Sequence, residues 1–384
     1  MGRLTVRELE LLRLVHARPG ITRAQVAATL AASSGTVAGL VRSLSRARLL
    51  DERPAPPSGA RGRPTRTLIP HADGPLVIAG VVSHASWRLS VVQLGGTIIA
   101  SERGQHSGVD GELLVQELGR LAAGLADQFP GRIRGTGLAF PGVVRGGVLI
   151  DAPLLQWRSL DVSSVAPPPG PAPESAPDRV FVAGNDATFA ALGEAARGAA
   201  REAELHLHLY LDAGLGGALT HRGAILPGAL GLGGEFGHMP FGDPAAHCPC
   251  GARGCWTTAV GASPLAEALG EPLPRDAVSY ARSVLERARG GDTRAHRAVT
   301  AVAVSLGRGI AGLVNGLDID LVTLGGWAPQ VAELAPDALN CAYAGGLMRF
   351  RRAEPPPMVV GALGDDAPIA GASEEVWSKV WAIL

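Results

Sequence analysis

The chain has 384 residues, 46% of them hydrophobic, with a mean hydropathy of +0.18 and a formal net charge of zero. That length buries a large core and leaves room for two or three domains. It has no run of 18 apolar residues, a signal-peptide core is missing after Met1-Gly2-Arg3, and three of its four cysteines are clustered. These features argue against a membrane span and a disulfide framework and predict a cytoplasmic protein.

Charge is unevenly placed. Residues 1–70 hold twelve arginines against Glu8, Glu10, Asp51 and Glu52, a net +8 that leaves −8 on the remainder. A basic head on an acidic body is the electrostatic footprint of nucleic-acid binding; the plain alternative is a solvated basic face. Leu4, Leu9, Leu11, Leu12, Leu14 and Val15 recur at helical spacing until Pro19-Gly20. Thr22 caps a second helix, with Gln25 completing a capping box and Val26, Ala27 and Leu30 inward. Ser33 opens a third helix carrying Val37, Leu40, Val41 and Leu44. Three short helices with a tight turn before the third read as a helix-turn-helix, the third entering the major groove. Gly35, Ala38 and Gly39 stand where amides or guanidiniums would read bases. Ser33, Ser34, Thr36 and Arg42 are therefore this helix's candidate DNA contacts.

Leu49 to Arg53 and Gly62 to Ile69 read as two strands around a Pro/Gly/Ser-rich tip, a wing. Its Arg61, Arg63 and Arg66 are placed to meet phosphates or enter a narrow minor groove. The bland alternative for residues 1–70 is a packing or dimerisation module.

From Pro75 the pattern turns to strands. Leu76–Val82 is continuously apolar, Trp87–Leu94 alternates, and Gly95-Gly96 turns into Thr97–Ala100. A helix over 111–128 and a strand at 135–142 follow: an antiparallel trio feeding a βαβ unit, the opening of a ribonuclease-H-like α/β fold. The proline-rich stretch 163–178 reads as an exposed loop or linker. A buried strand at Val180–Asp186 and a helix at 187–196 come next. His206–Leu211 with Gly214-Leu215-Gly216-Gly217 predicts a second glycine-turn hairpin, repeating the first half. The chain ends with a helix around 295–317 and a strand at 321–324 closed by Gly325-Gly326.

Cys248, Cys250 and Cys255 fall within eight residues, with His238 ten positions before the first. Thiolates and imidazole are the ligands Zn²⁺ prefers, and four of them close a tetrahedral structural site. His247, beside Cys248, is a rival ligand. Cys341, isolated on a helical stretch, reads as a small core residue.

Asn185-Asp186-Ala187, Gly214-Leu215-Gly216-Gly217, Gly234-Glu235-Phe236-Gly237-His238-Met239, Cys-x-Cys-Gly-x-x-Gly-Cys and Leu324-Gly325-Gly326 occur in one order. In this the chain from about Leu76 onward resembles the ROK family of sugar-responsive repressors and sugar kinases. The winged head with its Gly62-Arg63-Pro64 is similar to the repressor branch. The resemblance implies two actin-like lobes and a zinc ion held by His238, Cys248, Cys250 and Cys255. It also implies a sugar site at Asn185, Asp186, Glu235 and His238. Asp186 resembles the kinases' general base.

Four departures from the family pattern stand out. Leu154 replaces an asparagine in the loop closing on the sugar, and Thr257 replaces a glutamate after the last cysteine. Losing that amide and carboxylate removes two to four hydrogen bonds at roughly 1 kcal/mol each. The first hairpin, Val82-Ser83-His84-Ala85-Ser86, lacks the paired glycines and acidic residue of an ATP-phosphate loop, and Ala213 replaces a hydroxyl in the second.

The expectation is therefore a winged helix-turn-helix domain (1–70) before an α/β, ribonuclease-H-like, two-lobed effector and oligomerisation domain (71–384) with a zinc knuckle (238–255). Its function would be a transcriptional repressor, not an enzyme, that binds double-stranded operator DNA as a homodimer or homotetramer. A sugar or sugar-phosphate effector would control it. A ROK sugar kinase and an orphan regulator without a ligand are the alternatives.

Overall fold

The computed structural model describes residues 4–55, 66–106, 109–167 and 179–384. Arg61 and Arg63 of the expected wing, and most of the proline-rich stretch, lie outside the described residues.

The N-terminal segment runs α1 (Val6–Ala17), β1 (Ile21–Thr22), α2 (Arg23–Thr29), α3 (Ser34–Arg46), β2 (Leu50–Pro54) and β3 (Arg66–Pro70). Local chemistry starts each helix. Thr5 with Glu8 and Thr22 with Gln25 form capping boxes, and Ser33 accepts from the Thr36 N–H. The antiparallel β2–β3 pair, with β1 on the other side of β3, makes the base of a wing. Leu11, Leu12, Val26, Val37, Leu44 and Leu68 are fully buried between helices and wing.

The first lobe comprises β4 (Leu76–Val82), β5 (Ser86–Gln93), β6 (Ile98–Gln105), α4 (Gly111–Asp127) and β7 (Ile133–Phe140). After these come β8 (Val143–Arg145), β9 (Val148–Ala152) and β10 (Trp157–Asp161), then β11 (Val180–Asn185) and α5 (Asp186–Arg197). The second lobe begins with β12 (Leu205–Leu211), β13 (Leu215–His221) and β14 (Ala224–Ile225), followed by α6 (Thr257–Val260), α7 (Ala262–Leu269), α8 (Ala277–Arg289) and α9 (Thr293–Leu317). It ends with β15 (Leu321–Gly326), α10 (Ala328–Leu334), α11 (Pro336–Gly346) and β16 (Met358–Val360), after which α12 (Ala367–Val380) returns to the first lobe.

The two main sheets share one plan. Their orders are β11-β7-β4-β5-β6 and β14-β13-β12-β15-β16. In each, an antiparallel trio is extended by two strands parallel to its first member. This is the ribonuclease-H-like arrangement written twice. Parallel additions need long crossovers, which α4, the β8–β10 segment, α6–α9 and α10–α11 supply.

Three expectations are corrected. Gly216 and Gly217 lie inside β13, not in the turn, and the turn is 212–214. Strands β8–β10 form a separate small sheet that short, weakly alternating segments had not announced. Cys341 sits exposed on α11, not in the core. Helix α9 is long and apolar enough to span a membrane, but 61% of its apolar window is buried inside the protein, where it serves as the second lobe's central helix.

Candidate metal knuckle and inter-lobe cleft

Glycine packing sets the loop that carries Glu235 and His238. A Cβ on Gly234 (φ +102°) would fall 2.5 Å from the Gly217 carbonyl oxygen, and one on Gly237 would fall 2.1 Å from that of Leu215. The loop backbone thus lies directly on β13, and the residues between and after these glycines, Glu235 and His238, remain exposed at the cleft. Downstream, Gly251 and Gly254 adopt positive φ in the tight turns of the knuckle. Trp256 anchors it, with its indole fully buried and donating to the Ser305 carbonyl of α9 at 3.2 Å. A side chain at Gly309 would collide with that ring, so the glycine gives the indole its slot.

The knuckle gathers His238, Cys248, Cys250 and Cys255, whose donor atoms lie within 4.8 Å of one another. His238 Nδ1 is 3.6 Å from Cys248 Sγ, and the Cys250 and Cys255 sulfurs are 3.7 Å apart. A tetrahedral thiolate–imidazole site has edges of about 3.5–3.8 Å, so the donor set fits a metal ion. Burial pushes the Cys255 thiol up to about 12, with the neighbouring thiols adding to it. A cation at the centre reverses that preference, because metal binding deprotonates its ligands. His247 is exposed and outside the cluster, so it is not the rival ligand. The second ring nitrogen of His238, Nε2, lies 3.8 Å from Glu235 Oε2, so the imidazole links the knuckle to the cleft.

Asn185 and Asp186 sit where β11 passes into α5. Asn185 Oδ1 caps the helix by accepting from the Thr188 N–H at 3.0 Å, and its Nδ2 donates to the Gly142 carbonyl at 3.3 Å. Much of this side chain is therefore committed to structure. Asp186 is buried and accepts from the Ala187 N–H at 2.8 Å. Burial raises its carboxyl to about 8, with Asp212 and then Glu235 contributing. Asp212, which the sequence reading passed over, is itself raised to about 6, chiefly by burial. Its position directly before the glycine loop was the available signal.

Two of that loop's N–H groups are already bonded. The Leu215 N–H donates to Thr257 Oγ1 at 3.0 Å, and the Asp212 N–H to the Gly214 carbonyl at 3.0 Å. Thr257 thus braces the loop instead of reaching into the cleft. From the first lobe, His84 Nε2 reaches the Arg275 carbonyl oxygen of the second at 2.5 Å, and within the second lobe Arg282 of α8 pairs with Asp365 at 3.1 Å. Leu154 is exposed near the small sheet. A cavity of about 1040 Å³ lies elsewhere, along the flank of α5 between Arg13, Phe181, Ile225 and Trp381, and holds none of the candidate polar groups of the cleft.

In the N-terminal segment, Ser33, Ser34, Thr36 and Arg42 are all exposed on α3. Ser33 Oγ is occupied as the cap. Arg66 is exposed at the root of the wing, 3.8 Å from Glu52, which Arg23 already holds at 2.6 and 2.7 Å.

Residues 85–378 match the ROK family model. The chain belongs to the ROK family. This ROK protein is 27% identical over 252 residues to a glucokinase of Halalkalibacterium halodurans, covering 62% of this chain and 74% of that one. It is 24% identical over 374 residues to a xylose repressor of Bacillus spizizenii, covering 95% of this chain and 93% of the repressor. Its fold matches a solved ROK family transcriptional regulator, described as a homolog of the E. coli MLC protein, with a TM-score of 0.75 over 98% of both chains at 17% identity.

Proposed function

We propose that this ROK protein is a cytoplasmic transcriptional repressor whose head, residues 1–70, binds double-stranded operator DNA. The remainder, 71–384, acts as effector and oligomerisation unit. The observation that carries this reading is the winged helix-turn-helix with an exposed α3, ahead of a ROK body whose glycine loop already commits its Asp212 and Leu215 N–H groups. Near end-to-end similarity to a xylose repressor supports it, as does the +8 head. Arg42 and Arg66 are the described cations placed for phosphate contact, and a homodimer or homotetramer would present two heads to two half-sites.

The effector is a sugar or sugar phosphate held by Asn185, Asp186, Glu235 and His238. A protonated Asp186 donates to a hydroxyl while the Glu235 carboxylate accepts from one. Zn²⁺ is the ion that three thiolates and an imidazole select; here it would fix the knuckle and orient His238 toward the cleft. The test is enrichment of genomic DNA fragments by the purified protein at moderate salt. Discrete recovered sites, released by a sugar from a hexose and pentose panel, are expected. Uniform recovery of all fragments would overturn the reading.

A sugar kinase is the second reading, and Asp186 favours it: a carboxyl raised to about 8 suits a general base near neutral pH. ATP consumption with any sugar at ordinary kinase rates, on the order of 1–100 s⁻¹, would establish it.

A further inference from the structure

Helix α5 joins two places with different chemistry. Its first turn carries Asp186 at the cleft, and its last carries Arg197, a helix length of about 18 Å away. Arg197 does not face solvent. Its Nε donates to Glu374 Oε1 of α12 at 2.6 Å, and its Nη1 donates to the Gly95 carbonyl at 2.7 Å and the His16 carbonyl at 3.3 Å. His16 belongs to α1, the first helix of the head.

The imidazole completes the cluster. The Gly95 N–H donates to His16 Nδ1 at 2.9 Å, and His16 Nε2 lies 3.0 Å from Glu374 Oε2 and 2.8 Å from Arg197 Nη2. Both carboxylate oxygens of Glu374 are thus used, one by the head and one by α5. All three side chains are 15% exposed or less. Burial alone would raise the Glu374 carboxyl, yet His16 and Arg197 together hold it below the usual range, so it stays ionised. Around them, Trp377 and Trp381 of the C-terminal segment pack on the His16 ring at 5.5 and 5.2 Å between centroids.

The parts between are stiff. A Cβ on Gly193 of α5 would lie 2.4 Å from the Ala367 carbonyl oxygen, and one on Gly371 of α12 would lie 1.7 Å from that of Phe189. The two helices therefore cross backbone to backbone, and α12 follows α5. On the head side, Glu8 of α1 accepts from Ser43 of α3, and Leu11 and Leu44 belong to the same buried cluster. A tilt of α1 is therefore passed to the recognition helix.

We propose that His16, Arg197 and Glu374 form a latch through which α5 couples the state of the cleft to the orientation of the DNA-binding head. Its regulatory meaning rests on the repressor reading above, while its mechanical content does not. Packing alone lets a docked head slide, whereas a buried charged network holds one orientation and releases as a unit, since a lone charge left behind is unpaired in the interior. A coupling of this kind is a difference in free energy between two sites and is measured as non-additivity.

The test is a double-variant cycle on the full chain combining Asp186→Asn at the cleft with Glu374→Gln at the latch. Hydrogen exchange of the α1 amides is the readout, and operator affinity is followed in parallel. In the parent, D186N should change α1 exchange several-fold; in the E374Q background it should change it by less than half as much. R197K serves as the second latch variant should E374Q not fold, and circular dichroism checks each protein. Equal effects of D186N in both backgrounds, or none in the parent, would overturn the latch. A chain that binds no DNA yet shows the non-additive exchange would refute the repressor reading and leave the latch standing.

Discussion

Asp186 shows how environment sets what a side chain does. Its carboxyl is withdrawn from water and faces Asp212 and Glu235, so ionisation is penalised three times over. The folded-state value of about 8 lies above the ordinary 3.8. The folded protein therefore holds this proton more tightly than the unfolded chain does. The stabilising contribution is complete below about pH 4 and is lost as pH rises toward 8. Asp186→Asn removes the ionisation. Between pH 5 and pH 8, the variant's stability in urea should gain on the parent by at least about 1.4 kcal/mol, the equivalent of one pKa unit. Parallel curves would mean that the carboxyl ionises normally. The motif Asn185-Asp186 was legible in the sequence, but its commitments were not. Asn185's cap and Asp212's proximity are made by α5 and by the β12–β13 turn, which lie 26 residues apart in the chain.

At the scale of elements, glycine decides which segments approach. Along α5 and α12, Gly193 and Gly371 permit a crossing that any Cβ would prevent, whereas Gly124 in α4 faces open space. Gly371→Ala should therefore cost about 1–3 kcal/mol or more through overpacking. Gly124→Ala should gain roughly 0.5–1 kcal/mol from reduced unfolded-state freedom and better helix propensity. Both are read from urea midpoints, and similar effects from the two would contradict the crossing. The helix starts at Thr22 and Ser33, the Gly95-Gly96 turn and the order of strands could all be read beforehand, because caps, turns and periodicity act within a few residues. The small sheet of β8–β10 was missed because its strands are only three to five residues long. Helix α12 was missed for another reason: it is buried by a lobe distant in sequence, so its face is defined by its partner.

Across the whole molecule, head and first lobe share one core. Leu11, Leu12, Val26 and Leu44 belong to the same buried cluster as Val77, Val92, Trp377 and Trp381, and the Leu4 N–H donates to the Leu384 carbonyl at 2.9 Å. The two are therefore expected to melt together. Calorimetry of the full chain should show no separate low-temperature transition for the head. Removal of residues 1–70 should expose Trp377 and Trp381, red-shift tryptophan emission and raise binding of a hydrophobic dye. A body that keeps its fluorescence without the head would show the shared core to be dispensable.

The sequence alone determined the ROK family, the winged head, the cluster of His238 with three cysteines and the doubled sheet plan. Each is carried by short-range spacing: cysteines two and five residues apart, capping pairs three apart, alternating strands beside their turns. Tertiary structure decided the rest. It buried Asp186 beside Asp212, turned Thr257 under the glycine loop, left His247 outside the donor cluster and joined His16, Arg197 and Glu374 from positions more than 170 residues apart. Those outcomes depend on burial and long-range approach, which exist only once the lobes and the head have packed.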